Sequence, residues 1–341
     1  MGWTVAIGVD THKDSHVAVA CDRLGRQLDA LEFVPSAIGY VRLWRWAGAL
    51  GEPAFALEGA GSYGAGLARF LDAAGACVYE CERPRRRERR RGKSDLIDAA
   101  LAARRLCAGE GLAQLRGAGK REELRLLLLE RRSAQRARTC ALNQLRAVVV
   151  GSPSKLRERL ERLDGARLAA RASRLRADCT TLNAVLRRLG RRIRTLEAEL
   201  AELDAELHAL VRMLAPELLD EQGVGPVCAA QLLVSSGTPG RMRSEASFAA
   251  LAGTSPVDAS SGRQQRHRLN RGGDRQLNHA LHVIALNRTR HHPPTAQYYE
   301  RLQASGKSKR EALRCVKRML ARHFFRQLRA VGPLTEAPLA T

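Results

Sequence analysis

Aromatic residues make up only 4% of the 341, so stacking of bases on exposed rings is not the obvious way for this chain to bind a partner. No run of about 18 apolar residues occurs, which leaves no candidate for a bilayer-spanning helix and no expected membrane partner. The eight cysteines, at 21, 77, 81, 107, 140, 179, 228 and 315, are scattered. Cys77 and Cys81 are the only close pair, and no second pair completes a zinc site. They read as reduced thiols of a cytosolic protein. The N-terminus opens directly into a strand pattern, which argues against a signal peptide. Negative charge is also in short supply, with 35 acidic residues against 58 Lys and Arg and a net charge of +23. That excess is larger than solubility requires. It favours a polyanion as partner, nucleic acid or an anionic membrane surface.

The stretch that organises the chain is Lys93-Ser94-Asp95-Leu96-Ile97-Asp98-Ala99. Ser94 suits a helix N-cap, and acidic residues are favoured in a first helical turn, so a helix is expected to start here. Asp95 and Asp98 are then three apart on one face. Two such carboxylates repel one another unless a cation lies between them. Just ahead, residues 83–91 hold a dense arginine run, with Arg85, Arg86, Arg87, Arg89, Arg90 and Arg91 as candidate phosphate contacts. Acids for metal beside bases for phosphate point to phosphoryl transfer on nucleic acid.

The first hundred residues supply further acids. Val5-Ala6-Ile7-Gly8-Val9-Asp10 is a short apolar run with an acid at its tip, the pattern of a buried strand. Residues 15–21 and 26–34 read as two more strands, 37–50 as an amphipathic helix, and 54–57 as a strand ending at Glu58. Residues 63–74 read as helix and 77–81 as a fifth strand. Three antiparallel strands followed by helix–strand–helix–strand is the order of an RNase H-like layer. In it Asp10 and Glu58 end neighbouring strands, and Asp95 and Asp98 arrive on the next helix. Magnesium suits four such hard oxygen donors, and two ions about 4 Å apart would serve phosphoryl transfer.

Three blocks, IGVDTHKDSHVAVA, ALEGAGSYGAGLARFLDAAG and KSDLIDAALAARRL, resemble the N-terminal blocks of the DEDD transposases of bacterial insertion sequences (the "IS one-ten" family, related to the Piv-type DNA invertases). The resemblance implies a RuvC-like domain whose metal-binding Asp, Glu, Asp, Asp fall on Asp10, Glu58, Asp95 and Asp98. The arginine run over 83–91 is more basic than the family pattern.

Residues 119–150 are Arg- and Leu-rich with helical spacing, and Gly151-Ser152-Pro153-Ser154 interrupts them. From Leu182 to Leu214 apolar residues recur in alternating steps of four and three, the seam of a coiled coil roughly 50 Å long. Such a seam needs a partner, either the earlier arm or another subunit. After Pro216, the segment 218–226 resembles the hairpin of a helix-hairpin-helix motif, in which Gly223 and Gly225 permit positive φ and free amides bind phosphate. Residues 260–271 form a basic loop with Ser260, Ser261, Arg263, Arg266, Arg268 and Arg271, where a serine can attack phosphorus while guanidiniums neutralise charge. This block is similar to the family's C-terminal transposase domain, and the resemblance places its nucleophile on Ser261, with Ser260 adjacent. Tyr298, Arg301, Lys307 and Lys309 are possible backbone contacts. His279 and His282 are three apart but have no third ligand.

The expected fold is therefore α/β plus α. It comprises a RuvC/RNase H-like DEDD domain over 1–110, a helical coiled-coil spacer over 111–215, a mainly helical C-terminal domain over 216–330, and a disordered tail over 331–341. The resemblance implies a bacterial, nucleoid-associated DNA transposase or recombinase that forms a covalent serine–DNA intermediate. It also implies double-stranded DNA, an element-encoded guide RNA and a homo-oligomer, dimer or tetramer. Rival readings are a RuvC-like nuclease that uses water as nucleophile, a sugar-kinase or actin-like ATPase, and a non-catalytic nucleic-acid binder.

Overall fold

The computed structural model describes residues 2–81, 94–115, 119–176, 180–237, 242–258, 267–268, 270 and 272–331. They fall into two compact units, Met1–Ala118 and Gly119–Thr341.

In the first unit β1 (Val5–Thr11), β2 (His16–Cys21) and β3 (Gln27–Phe33) form an antiparallel set, and β4 (Pro53–Glu58) and β5 (Cys77–Cys81) extend it in parallel from β1. A short β6 (Leu112–Gln114) pairs antiparallel with β5, giving the order β3-β2-β1-β4-β5-β6. This mixed six-stranded sheet is consistent with an RNase H-like layer. β1 and β2 are buried along their whole length, as near-continuous apolar runs should be when both sheet faces are covered. Side chains alternate between the faces. Val5, Ile7, Val9, Phe55 and Leu57 share one core with residues of α1 (Ala37–Leu50) and α2 (Ala65–Ala73). Ala6, Ala54 and Ala56 pack on the other face with Ala102 and Leu106 of α3 (Asp95–Ala108).

That second face is made almost flat by small residues. A Cβ added to Gly8 would lie 2.0 Å from the Ala99 carbonyl oxygen and 2.3 Å from the Ala103 nitrogen. The backbone of α3 therefore rests directly on β1, an approach that only glycine permits. α2 starts at Ala65 rather than Tyr63, because Gly59, with φ +73°, begins a turn in which the Gly64 amide donates to the Gly59 carbonyl. Ser94 holds the N-cap position of α3 in extended conformation, but its side chain makes no capping bond.

The second unit is built on two long helices, α4 (Lys120–Val150) and α7 (Thr181–Leu214). Arg131 of α4 pairs with Asp204 of α7 at 2.5 Å, and Arg138 with Glu197 at 2.6 Å. Seven residues forward on one helix are seven back on the other, so the pair is antiparallel and lies within one chain. Its buried seam on α7 includes Leu186, Ile193, Leu200, Leu203, Leu207 and Val211. At the end where α4 runs out, α5 (Ser154–Leu160) and α6 (Gly165–Ser173) close a small core with Leu145, Leu160, Leu168, Leu186 and Ile193. At the opposite end Leu124, Leu128, Leu207 and Val211 join α8 (Pro216–Asp220), α9 (Pro226–Ser236), α10 (Glu245–Leu251), α11 (Arg275–His291) and α13 (Lys309–Ala330) in the largest core of the chain. α12 (Pro293–Ala304) links α11 to α13, and a two-residue pair, β7 (Val257–Asp258) with β8 (His267–Arg268), flanks residues 259–266.

Candidate active site

The alternation of β1 and β4 positions two acids. Asp10 continues the face of Ala6 and Gly8, and Glu58 that of Ala54 and Ala56, so both point to the side covered by α3. The strands are parallel neighbours with Val9 opposite Leu57, which puts Asp10 and Glu58 side by side at their ends. Thr11 secures this corner by donating its hydroxyl to the Glu58 carbonyl at 2.7 Å. On α3, Asp98 belongs to the buried face with Ala99, Ala102, Ala103 and Leu106, whereas Asp95 is half exposed at the first turn. Asp10, Glu58 and Asp98 are all more than nine-tenths buried.

Burial bears on the charge of Asp10. Burial pushes the Asp10 carboxyl above the ordinary carboxylate range; the His12 imidazole opposes this, and the charges of Asp95 and Asp98 add to it. His12 Nδ1 lies 3.7 Å from an Asp10 oxygen and 3.9 Å from an Asp95 oxygen. Asp10, His12 and Asp95 each offer a ligand atom within 4.8 Å of the others, the spacing of a metal nest. A divalent cation fits this donor set of one buried carboxylate, one half-exposed carboxylate and an imidazole, because it offsets the crowding of negative charge around Asp10. His12 is not among the residues that the sequence pattern brings to this corner.

Glu58 adjoins this group from the neighbouring strand end. Arg85, Arg86, Arg87, Arg89, Arg90 and Arg91 lie outside the described residues, as do Ser260, Ser261, Arg263, Arg266, Arg271 and the tail beyond 331. Arg268 is placed as a β8 residue. The two ends of the segment carrying Ser261 are held together. The Asp274 amide donates to the Leu251 carbonyl at 2.6 Å, and Asn278 Nδ2 to the Ala252 carbonyl at 2.6 Å. Lys317 Nζ donates to Asn278 Oδ1 at 2.7 Å. Gly273, at φ +89°, passes so near the Leu251 carbonyl that any Cβ would overlap it at 2.2 Å.

The hairpin glycines differ from each other. Gly223 has φ +81°, but Gly225 has φ −90° and is an extended N-cap, because Pro226 at the first helical position already sets the entry of α9. The expectation of positive φ at Gly225 is thereby corrected. The loop is also tied inward. Glu221 accepts from Arg288, His323 and Gln327, and Arg288 Nε donates to the Gln222 carbonyl at 2.7 Å. His279 and His282 lie on α11, and burial followed by nearby Lys317 lowers the His282 pKa.

Residues 7–152 match the model of the DEDD transposases of the IS110 type, described as "Transposase". Residues 215–300 match the "Transposase IS116/IS110/IS902 family". Over 117 residues the chain is 35% identical to the "Insertion element IS110 uncharacterized 43.6 kDa protein" of Streptomyces coelicolor. That alignment takes in 34% of this chain and 29% of the relative, so the matched part spans under a third of that protein. No helix among the described residues is long and apolar enough to cross a membrane.

Proposed function

Since the chain belongs to the IS110-type DEDD transposases, matching the family's two domain models in order, we propose that it is a DNA transposase that cuts and rejoins strands. The observation that supports this reading most is the cluster of Asp10, His12 and Asp95, with Asp98 near enough for its charge to act on Asp10 and Glu58 on the adjoining strand. Asp10, Glu58, Asp95 and Asp98 would hold magnesium, as a pair of ions rather than a single one, as the oxygen-rich donor set favours. When bound, such ions neutralise charge on the phosphate and on the departing oxygen. Burial of Asp10, Glu58 and Asp98 excludes water from the carboxylates, and the Thr11 bond to the Glu58 backbone keeps the two strand ends in register.

In the second unit the nucleophile is Ser261. Its Oγ forms a bond to phosphorus, the bond from phosphorus to one strand oxygen breaks, and that oxygen leaves as a free strand end carrying the proton. Arg263, Arg266, Arg268 and Arg271 neutralise the phosphate, and the arginines of 83–91 together with the Gly223–Gly225 hairpin add backbone contacts. Double-stranded DNA is the substrate, an element-encoded RNA selects the sites, and the working form is a homo-oligomer, a dimer or tetramer. The net charge of +23 supports two polyanionic partners.

The test is cleavage of end-labelled DNA carrying the element's own flanks, followed by denaturing electrophoresis. Wild-type protein is expected to yield a protein-linked strand that protease removes. Ser261→Ala should abolish that adduct, and Asp10→Asn should abolish both adduct and cleavage. Cleavage retained without an adduct in Ser261→Ala would replace this reading with a water-using nuclease.

A further inference from the structure

The helical arm of the second unit is charged unevenly along its length. Near the large core, the cations of α4 meet acids of α7, as in Arg131 with Asp204 and Arg138 with Glu197. Beyond Glu197 toward its N-terminus α7 contains no acid at all. Between residues 146 and 195, fourteen Lys and Arg stand against four acids, whereas between 196 and 221 eight acids stand against one arginine. The basic excess is thus confined to the outer end, where α5 and α6 cap the arm.

The fold concentrates this charge. A Cβ on Gly190 would lie 2.6 Å from the Ser173 nitrogen and 2.7 Å from the Ala169 carbonyl oxygen, so α6 and α7 touch backbone to backbone. Their buried stripes, Leu168, Ala169 and Ala172 on one and Leu186, Gly190 and Ile193 on the other, meet at this point. Beside the first stripe Arg167, Arg171 and Arg174 follow in steps of four and three, all exposed. Beside the second, Arg188, Arg191, Arg192 and Arg194 are exposed as well. Among the described residues, Arg167 alone of these seven has an acid near it, Asp164 at 3.7 Å. The other six make no ion pair and no side-chain hydrogen bond within the described residues. Like charges three and four apart weaken a helix, by about 0.2–0.5 kcal/mol per pair. Solubility needs no such local density. A surface that carries exposed like-charged guanidiniums, without ion pairs among the described residues, on two abutting helices is complementary in charge to a phosphate backbone.

We propose that the capped outer end of the arm, centred on α6 and the N-terminal half of α7, is a nucleic-acid backbone clamp built from residues other than those assigned to the candidate active site and to the Ser261 loop. Its ligand is a run of phosphates, presented by either duplex DNA or structured RNA. The contact is electrostatic and reads no sequence, because Arg side chains on rigid helices meet phosphates without base edges.

The test measures binding of the full chain in metal-free buffer by fluorescence anisotropy. The probes are a random-sequence 30-base-pair duplex and a stem-loop RNA of similar charge, each titrated from 50 to 300 mM salt. One variant carries Arg188→Gln, Arg191→Gln, Arg192→Gln and Arg194→Gln; a second carries Arg167→Gln, Arg171→Gln and Arg174→Gln. A control with Arg26→Gln, Arg42→Gln and Arg45→Gln, exposed positions of the first unit, removes as much charge as the second variant. Circular dichroism and light scattering verify folding and oligomeric state. Each arm variant is expected to bind at least about tenfold more weakly near 0.15 M salt. Its log–log salt slope should shrink by about one for each phosphate that is no longer neutralised, while the control changes little. Weakening with the duplex alone assigns the clamp to DNA, and weakening with the stem-loop alone assigns it to RNA. Unchanged affinity and slope for both probes, or an equal weakening in the control, would overturn the proposal. Because no cleavage is read, failure here leaves the catalytic reading untouched.

Discussion

Asp10, which is buried, and Glu221, which is partly buried, are acids treated in opposite ways. At Asp10, burial and the neighbouring charges of Asp95 and Asp98 outweigh the help of His12, so its carboxyl is raised. A raised folded-state value favours the folded protein at low pH, and this contribution is lost as pH rises through that value. In metal-free buffer at pH 7, Asp10→Asn should therefore melt at a higher temperature than wild type. The gain should vanish as pH falls toward about 4, the ordinary carboxylate range. Differential scanning calorimetry checks this, and a lower melting temperature at pH 7 would contradict it. At Glu221, burial raises the carboxyl, but bonds from Arg288, His323 and Gln327 more than reverse it and hold it low. That contribution is present at neutral pH and is lost as pH falls through the depressed value. Glu221→Gln leaves the buried Arg288 without its counter-charge, at a cost of about 3 kcal/mol at pH 7. The difference from wild type should close in acid, and urea unfolding at several pH values reads both features. Asp10, Glu58, Asp95 and Asp98 stand out in the sequence because each ends an apolar run or opens a helix. The approach of His12 to Asp10 and Asp95 does not, because it depends on how α3 packs, which no local pattern announces. The partners of Glu221, more than sixty residues away in sequence, were hidden for the same reason.

Elements with strong periodicity were read well: α1 (Ala37–Leu50) and β5 (Cys77–Cys81) fall where the apolar spacing places them. β6 and the β7–β8 pair, three and two residues per strand, are too short to show alternation and exist through pairing. The element on which the site depends is the α3–β1 contact. Gly8→Ala would drive a methyl into the Ala99 carbonyl and the Ala103 nitrogen. Overpacking of a well-filled site costs about 1–3 kcal/mol, and contact with backbone, which has no rotamer to yield, belongs at the upper end. The displaced α3 would carry Asp95 and Asp98 away from Asp10. The variant is expected to lose about 3 kcal/mol in chemical denaturation and to lose metal binding even at temperatures where it remains folded. Wild-type metal affinity in folded Gly8→Ala would contradict that coupling of packing to site.

Across the whole molecule, the heptad pattern from Leu182 to Leu214 announced a partnered seam but could not say with what. In the structure α7 packs antiparallel on α4 of the same chain, with the Arg131–Asp204 and Arg138–Glu197 pairs along the contact. The sheet order, the gathering of acids and the match of residues 7–152 and 215–300 to one transposase family bear on the same claim. That claim is that carboxylates distant in sequence form one divalent-metal site at the ends of β1 and β4. Anomalous diffraction from crystals of the protein grown with manganese, a close substitute for magnesium, tests it most directly. The expected result is an anomalous peak bounded by the carboxylates of Asp10, Asp95 and Asp98, with Glu58 at its edge, that disappears in Asp10→Asn. Manganese density absent from that position, or lodged at another cluster while these four side chains bind none, would contradict it.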